Sequence, residues 1–409
     1  MRNAFLLLVS LAGLHAQSDF YLHDGDRVVF YGDSITNQRR YTVFTESYVV
    51  TRFPKMRVTF VHSGWGGDRV SGGSGGPIDT RLERDVFVYK PTVMTIMLGM
   101  NDGRYRAFDP AIFQDFSQGY QHIIESVQKT LPGIRITAIE PSPYDDVTRA
   151  PGFPGGYNAV LVRYGQFLKE LAHDQHLALA DLNTPLVDAL EKAKASDATL
   201  ASKLLPDRVH PDFGGHLLMA GALLKAWHAP AIVTAVEIDA AKKRVVRQEN
   251  TEASDLENKN GLAWTQLDAA LPMPLDLKDP VLKLALDSSD FVDTLDRQML
   301  RVRGLHEGSY ALTIDGEPVG SFTGEQLAAG VNLALLPTPM ARQAAEVHAL
   351  TIKHNNVHYA RWREFQLPLH DDAPEHLQSA LDALDALETD LVAAQQRAAQ
   401  PRPHKYELR

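Results

Sequence analysis

The residues best suited to chemistry are a serine near the start of the sequence and an aspartate–histidine pair much later in it. Ser34 follows an apolar run in "VVFYGDSITNQ", residues 28–38, and Asp207 stands three residues before His210 in "LLPDRVHPD". Attack of a serine on a carbonyl group requires a histidine that takes its proton and a group that orients that histidine. The three residue types fit these roles, whereas "GDSIT" alone fits a helix-capping serine equally well.

Donors for a negatively charged oxygen are the fourth requirement of this chemistry. Gly66 and Gly67 in "HSGWGGDRV" allow a close backbone approach and leave N–H groups free. Asn101 in "LGMNDG" carries a side-chain amide that donates hydrogen bonds. Both segments directly follow apolar runs, as Ser34 does.

The elements that must position these residues alternate between strands and helices up to about residue 228. Amphipathic stretches at 111–130 and 158–174 predict two of the helices. Near-continuous apolar strands separated by helices indicate a parallel sheet covered on both faces, and ligands of such sheets bind at the carboxyl ends of the strands. The predicted strands are 27–31, 57–61, 93–98, 134–139 and 178–182.

These blocks, in this order, resemble the GDSL esterase/lipase superfamily, also called the SGNH hydrolases. The resemblance covers residues 25–228 and rests on Gly-Asp-Ser, a glycine loop, Gly-x-Asn-Asp and Asp-x-x-His, each after the expected element. The first block has isoleucine where the family name has leucine. The resemblance implies a three-layer α/β/α, flavodoxin-like fold with a parallel five-stranded sheet.

The resemblance also implies roles for single residues. Ser34 is the nucleophile, His210 the general base and Asp207 the group that orients His210. The backbone N–H groups of Ser34 and Gly67 and the side chain of Asn101 form the oxyanion hole, with Gly66 as the alternative if the glycine loop is aligned one residue off. The resemblance implies neither a metal nor an organic cofactor.

Other residues of the first half are candidates for substrate binding or for other chemistry. Asp33, Arg69 beside the glycine loop and Tyr144 in "IEPSPYDD" are predicted to bind substrate. Ser74 in "GGSGG" matches a nucleophile-elbow pattern, but it lies too far beyond its strand to be one. His354 and His358 have the i, i+4 spacing of zinc ligands; without a third ligand in the sequence, packing or solvent-facing histidines are the prediction.

The pattern changes after residue 230. Residues 231–335 are predicted to form a β-rich module with a two-residue turn at Asp315-Gly316. Residues 336–409 are predicted to form helices, the first opening at Thr338-Pro339, and a loose polar tail after residue 400. A leucine stripe from Leu377 to Leu391 predicts a face docked on the body. The module is interpreted as a brace or as a glycan-binding unit.

The N-terminus and the composition indicate where the protein is located and which partners and chemistry they exclude. Residues 1–16 have the positive start, short apolar run and small final residue of a secretion signal, which predicts a secreted or periplasmic protein with its catalytic domain at 17–230. The chain has no cysteine, which excludes disulfides and thiolate chemistry. Its net charge of -10 argues against a nucleic-acid partner, and no later run predicts a membrane span.

The sequence thus predicts a serine esterase acting on a small-molecule or polysaccharide acyl ester. Carbohydrate O-acetyl groups are the expected substrate class, by analogy with secreted relatives that carry an extra module. An O-acyltransferase using the same site is one alternative. A glycan-binding protein with a vestigial site is the other. The oligomeric state is left open.

Overall fold

The computed structural model describes residues 20–258, 261–372 and 374–409, so the predicted signal peptide at 1–16 lies outside the described residues. The first half of the described chain alternates strands with helices, as predicted. Its strands are β1 Arg27–Gly32, β2 Thr59–Gly64, β3 Gly72–Gly73, β4 Gly76–Pro77, β5 Val93–Met97, β6 Arg135–Glu140 and β7 Ala178–Asp181.

Five of these strands form one parallel sheet in the order β2-β1-β5-β6-β7. They correspond to the five predicted strands, shifted by at most a few residues. Every residue of β5 and every residue of β1 except Arg27 is buried, because helices cover both faces of the sheet. The predicted three-layer α/β/α architecture with a parallel five-stranded sheet is therefore confirmed.

The helices of this layer are capped by their own sequences. Asp109 accepts hydrogen bonds from the first turn of the helix that opens at Pro110, a combination typical of a helix start. A 3₁₀ turn at Phe87–Tyr89 precedes β5. The helices are α1 Ser34–Asn37, α2 Arg40–Arg52, α3 Ile78–Asp85, α4 Pro110–Thr130, α5 Asn158–Asp174, α6 Thr184–Ser196, α7 Ala198–Ala201 and α8 Phe213–Ala226.

The second half contains the predicted β-rich region, arranged as two sheets. One is antiparallel in the order β10-β11-β16-β13-β14, and the other is mixed in the order β15-β12-β8-β9. The strands are β8 Ile232–Asp239, β9 Arg244–Glu249, β10 Thr251–Asn258, β11 Leu262–Asp268, β12 Arg297–Arg303, β13 Ser309–Ile314, β14 Glu317–Thr323, β15 Val331–Asn332 and β16 Pro403–Leu408.

The strand pairing observed in this region agrees only in part with the pairing predicted from the sequence. The hairpin β13-β14 forms around Asp315-Gly316 as predicted, and β8 and β9 form another antiparallel hairpin. The prediction of a loose tail is wrong, because residues 403–408 pair with β11 on one side and β13 on the other. Tyr406 and Leu408 face the core of this sheet, where Tyr406 stacks on Trp264 with ring centroids 5.0 Å apart.

The remaining helices pack on both parts of the chain. Thr338 caps the long helix that begins at Pro339, as predicted, and this helix continues into a π-helical turn at Ala360–Gln366. Of the five leucines in the predicted stripe on the last helix, Leu381 is buried, Leu377, Leu384 and Leu391 are half-buried, and Leu387 is exposed, so four of the five lie on the covered side of the helix. These helices are α9 Pro280–Asp287, α10 Phe291–Leu295, α11 Gly324–Ala329, α12 Pro339–Tyr359, α13 Leu367–Leu369 and α14 Leu377–Ala398.

Two hydrophobic cores hold the chain together. The larger one lies around the parallel sheet and includes residues from α9 and α10, so part of the 231–335 segment packs with the α/β layer. The smaller one lies between the two C-terminal sheets, α12 and the end of α14. The predicted boundaries at residues 230 and 335 stay predictions. No helix in the described ranges is long and apolar enough to cross a membrane.

Candidate active site

In the turn after β1, Ser34 is not the residue that caps the following helix. A Cβ atom on Gly32 would lie 2.7 Å from the carbonyl oxygen of Met97 and 2.3 Å from Oγ1 of Thr36, so only glycine lets α1 come this close to the sheet. The carboxylate of Asp33 caps α1 by accepting a hydrogen bond from the N–H of Ile35 at 2.9 Å. Because Asp33 already fills the cap, the hydroxyl of Ser34 is left for another partner.

That partner is His210. The Nε2 atom of His210 lies 2.7 Å from Oγ of Ser34, and its Nδ1 atom lies 2.7 Å from Oδ2 of Asp207. The other oxygen of Asp207 accepts the backbone N–H groups of Val209 at 3.0 Å and of His210 at 2.7 Å. One carboxylate therefore fixes both the loop and the ring of the histidine.

The charge of Asp207 settles the direction of these hydrogen bonds. Partial burial by itself would raise the pKa of Asp207, but the hydrogen bonds from the backbone and ring of His210 lower it below its usual value. An ionised carboxylate only accepts hydrogen bonds, so Nδ1 of His210 carries the proton. In the neutral imidazole Nε2 is then an acceptor for the hydroxyl of Ser34, as proton transfer from serine requires.

A neighbouring loop holds the segment that carries Asp207 and His210. The guanidinium of Arg149 donates to the carbonyl oxygens of Leu205 at 2.9 Å and Pro206 at 2.8 Å, and it pairs with the buried carboxylate of Asp145 at 2.7 Å. Arg208, within the held segment, has a positive φ of 73°, a conformation that costs energy for a residue with a side chain. The clamp from residue 149 thus stabilises a strained turn between the aspartate and the histidine.

The predicted oxyanion loops leave the sheet on either side of Ser34. In the register of the sheet, Gly32 lies between Gly64 of β2 and Met97 of β5. Gly67 follows β2 with a φ of +79°, which favours glycine. Within the described part of the chain, the backbone N–H groups of Ser34 and Gly67 have no hydrogen-bond acceptor, as expected of donors kept for a ligand.

The amide of Asn101 is oriented by two hydrogen bonds. Its Nδ2 atom donates to the carbonyl oxygen of Asp68 at 3.0 Å, and its Oδ1 atom accepts from the hydroxyl of Tyr105 at 2.9 Å. Since an amide nitrogen carries two protons, one N–H remains for a substrate oxygen. Burial and the nearby carboxylate of Asp33 raise the pKa of Tyr105 to about 12, so its hydroxyl stays a donor at neutral pH.

Asp33, one of the predicted substrate contacts, is a buried residue in the structure. Its side chain is buried, it serves as the cap of α1, and burial raises its pKa to about 7. Asp102, the residue after Asn101, is a second buried carboxyl whose pKa burial raises to about 6. Its Oδ1 atom accepts the N–H of Val70 at 2.9 Å, so Asp102 links the two oxyanion loops and does not face the cleft.

The two other predicted substrate contacts are not buried. Arg69 is exposed, and its backbone pairs with Gly72. Tyr144 is half-buried; its ring centroid lies 6.1 Å from that of Tyr105 and 5.7 Å from the guanidinium carbon of Arg208. Both stay predictions as substrate contacts. Tyr105, whose hydroxyl contacts Asn101, is a residue of this site that the sequence did not indicate.

The remaining candidates have partners of their own. Ser74 accepts a hydrogen bond from the indole N–H of Trp65 at 3.0 Å and stands apart from His210. His354 and His358 are buried packing histidines that pair with Glu46 and Glu388. Among the described residues, no group of three or more histidine, aspartate or glutamate side chains could hold a metal ion.

Comparison with known proteins identifies the family of the α/β layer. Residues 30–218 match the GDSL-like lipase/acylhydrolase family. This segment of the chain is a domain of that family. Its members are esterases, and this GDSL protein is accordingly a carboxylic ester hydrolase.

Two relatives of this GDSL hydrolase differ in how much of it they match. An acetylxylan esterase from Geobacillus stearothermophilus is 24% identical over 221 residues, which are 49% of this chain and 93% of the relative. The solved structure of a gut microbial diltiazem-metabolizing enzyme is 27% identical, with a TM-score of 0.82 over 95% of this chain and 98% of that chain. The second relative therefore shares the C-terminal sheets and helices as well as the α/β layer.

Proposed function

We propose that this GDSL protein hydrolyses acyl esters with Ser34 as nucleophile, His210 as general base and Asp207 as the group that orients His210. The observation that carries the proposal is the pair of 2.7 Å contacts through which His210 bridges Ser34 and Asp207. A serine that only packed or capped would not need an imidazole held in the accepting tautomer. Asp33, not Ser34, provides the cap.

The first half of the reaction forms an acyl-enzyme. Nε2 of His210 takes the proton of the Ser34 hydroxyl while Oγ attacks the carbonyl carbon of the ester. The C=O electron pair moves to the oxygen, which the backbone N–H groups of Ser34 and Gly67 and the side chain of Asn101 stabilise. The intermediate then collapses, and the alcohol leaves with the proton that His210 returns.

The second half releases the acid. His210 takes a proton from a water molecule, the resulting hydroxide attacks the acyl carbon, and the same three donors stabilise the second oxyanion. The bond to Oγ of Ser34 breaks, and His210 gives its proton back to that oxygen. Asp207 stays ionised throughout and stabilises the protonated imidazole in both halves.

We further propose O-acetyl groups on carbohydrates as the substrate class. Support comes from the acetylxylan esterase, of which this chain matches 93%. The gut microbial relative is described as metabolising diltiazem, and diltiazem is itself an acetate ester. A catalytic centre that removes acetyl groups from differently shaped alcohols would account for both similarities.

A hydrolysis panel tests the proposal. It contains p-nitrophenyl acetate, butyrate and octanoate, acetylated xylan and diltiazem, each incubated with the wild-type protein and with Ser34→Ala. We expect acetyl esters to be cleaved fastest, and Ser34→Ala to lower kcat by about 10⁴-fold or more without unfolding. Activity of purified Ser34→Ala close to the wild-type level would contradict the nucleophile assignment.

Acyl transfer is distinguished from hydrolysis by the same panel. Addition of xylo-oligosaccharides as acceptors to the p-nitrophenyl acetate reaction would yield acetylated sugars if the acyl-enzyme prefers a sugar hydroxyl to water. We expect acetate as the main product at every acceptor concentration. Acetylated sugar as the main product would replace the hydrolase proposal with the transferase alternative.

We also propose export, on the basis of residues 1–16 alone. Mass spectrometry of the protein from a bacterial host that recognises such signals would show a mature N-terminus near residue 17 in the periplasm or the medium. Recovery of the protein in the cytosol with Met1 intact would contradict export.

A further inference from the structure

A buried arginine lies behind the oxyanion loop that follows β2. Arg81 of α3 is fully buried, its Nε donates to the carboxylate of Asp68 at 2.9 Å and its Nη2 to the carbonyl oxygen of Ser63 at 2.9 Å. Its Nη1 pairs with the carboxylate of Asp85. Arg81 therefore joins two buried acids and the end of β2 in one network. Three aromatic rings surround its guanidinium, those of Tyr31, Trp65 and Trp362.

One end of this network reaches the oxyanion donors. Asp68 directly follows Gly67, so the position of its side chain constrains the Gly67 backbone. The carbonyl oxygen of Asp68 also accepts the hydrogen bond from Nδ2 of Asn101 at 3.0 Å. Two of the three proposed oxyanion donors thus depend on where Arg81 holds Asp68.

The other end belongs to the C-terminal segment. Trp362, in the π-helical turn after α12, is buried and donates its indole N–H to Oδ1 of Asp85 at 2.8 Å. Its ring meets the ring of Trp65 edge-on, with centroids 5.8 Å apart, and the guanidinium of Arg363 lies 3.3 Å from the centroid of Trp65. Trp65 immediately precedes Gly66 and Gly67. π-Helical turns are rare and recur at functional sites.

We propose that Trp362 is a positioning residue for the oxyanion hole, acting through Asp85, Arg81 and Asp68. The proposal rests on the proposed esterase function and adds a part of the chain outside the 30–218 match to the catalytic machinery. Each group in this relay is buried, and Oδ1 of Asp85 accepts hydrogen bonds from both the indole of Trp362 and Nε of Arg84, each at 2.8 Å. Loss of the indole donor leaves the carboxylate held by its arginine partners alone, so it moves toward them and takes Arg81 with it. That movement reaches Gly67 and Asn101, the groups that must meet the oxyanion.

The test compares two tryptophan-to-phenylalanine variants. Trp362→Phe removes the donor to Asp85 and keeps an aromatic ring in place. Trp227→Phe is the matched control, because Trp227 is equally buried and donates to Oγ1 of Thr137 at 2.9 Å, outside the relay. For both variants the measurements are kcat, KM, the melting temperature and the inhibition constant of a boronic acid that forms a tetrahedral adduct with a serine.

We expect both variants to melt at similarly reduced temperatures. Trp362→Phe alone should lower kcat and weaken boronic acid binding, each by about tenfold, with KM changed less than twofold, because a misplacement of about 1 Å in a site costs up to 10²-fold. A purely structural tryptophan would not separate kcat from KM in this way. Equal kcat values for the two variants would overturn the proposal.

If Trp362→Phe does not fold, a second pair of variants tests the same relay. Asp85→Asn keeps an acceptor for Trp362 but removes the charge that faces Arg81; Asp296→Asn, in the buried pair with Arg52, is its control. We expect the same loss of kcat and of boronic acid affinity in Asp85→Asn only. Equal values in the two asparagine variants would overturn the inference, whereas full activity in Ser34→Ala would overturn the esterase mechanism itself.

Discussion

The hydroxyl of Tyr105 donates to Oδ1 of Asn101 at 2.9 Å and so fixes which atom of this amide is oxygen and which is the nitrogen proposed to bind the oxyanion. Without this bond, the amide could rotate and present its oxygen to the developing oxyanion. Tyr105 lies in a loop where both it and Arg104 have positive φ values, 53° and 55°. The loop accepts two unfavourable backbone conformations and brings the tyrosine beneath the asparagine.

Removal of this hydroxyl should impair catalysis more than stability. We expect Tyr105→Phe to lower kcat about tenfold with little change in KM, and Asn101→Ala to lower kcat by about 10²–10³-fold. Steady-state kinetics with p-nitrophenyl acetate measures both effects. Tyr310→Phe is the control, because the hydroxyl of Tyr310 likewise donates to the residue four positions earlier, in this case to the backbone carbonyl oxygen of His306 at 3.0 Å, but Tyr310 lies in β13. Wild-type kcat in Tyr105→Phe would contradict the orienting role.

Loss of the hydrogen bonds from Arg149 should displace the ring of His210. Arg149→Met removes the donors to Leu205 and Pro206 and leaves the buried carboxylate of Asp145 without its cation. We expect kcat to fall at least about tenfold and the free energy of unfolding to fall by about 3 kcal/mol, measured by kinetics and urea denaturation. Arg163→Met, at an exposed site of α5, should change neither quantity, and equal behaviour of the two variants would count against the clamp.

The buried carboxyl of Asp33 should make stability depend on pH. Its pKa is about 7 in the folded protein against 3.8 for an unperturbed carboxyl, so its stabilising contribution is complete below pH 4 and is lost as the pH rises to about 7. Asp33→Asn keeps the capping oxygen without the charge. The free energy of unfolding of the variant, relative to that of the wild type, should therefore rise by about 2–3 kcal/mol as the pH goes from 5 to 8.

Urea denaturation of both proteins at pH 5, 6, 7 and 8 measures this gain. Asp287→Asn, on the surface of α9 with 60% of its side chain exposed, is the control for changes unrelated to burial. A stability difference between Asp33→Asn and wild type that stays constant over this range would show that the cap is ionised throughout.

The strand at residues 403–408 should be essential to the second core. Tyr406→Ala deletes a buried ring that stacks on Trp264, and we expect it to reduce the free energy of unfolding by about 3–5 kcal/mol. Lys405→Ala on the same strand, with 65% of its side chain exposed, should change it by less than about 0.5 kcal/mol. Equal stability of the two variants would place this strand outside the cooperative unit.

Sequence reasoning reached the parallel sheet because its strands are apolar and buried on both faces. It brought Ser34, Asp207 and His210 together through a motif whose blocks follow those strands. The cap at Asp33 escaped it, since Asp and Ser are both good caps and the register of α1 decides between them. Tyr105 escaped because its contact depends on a loop conformation that few residues adopt.

The C-terminal half was harder to predict for a different reason. "PHKYEL" has two large apolar side chains among charged and polar ones, a signal too weak to predict a central strand. The leucines of α14 indicate its covered side, but beyond them the helix also buries Gln395 and Ala398, which the leucine pattern does not predict. Gln395 joins a buried polar group around Glu46 and Thr351, and such networks leave no hydrophobic periodicity in a sequence.

The position of β16 has a consequence for biosynthesis. Of the five strands in its sheet it is the last to be synthesised, yet it lies in the middle, between β11 and β13. Until residues 403–408 emerge, both neighbours expose unpaired edges that attract other strands. The strands of the parallel sheet all precede residue 182 and need no late strand to complete their pairing. The two halves should therefore acquire structure at different times, and the interval between them is when a newly made chain is most exposed to aggregation.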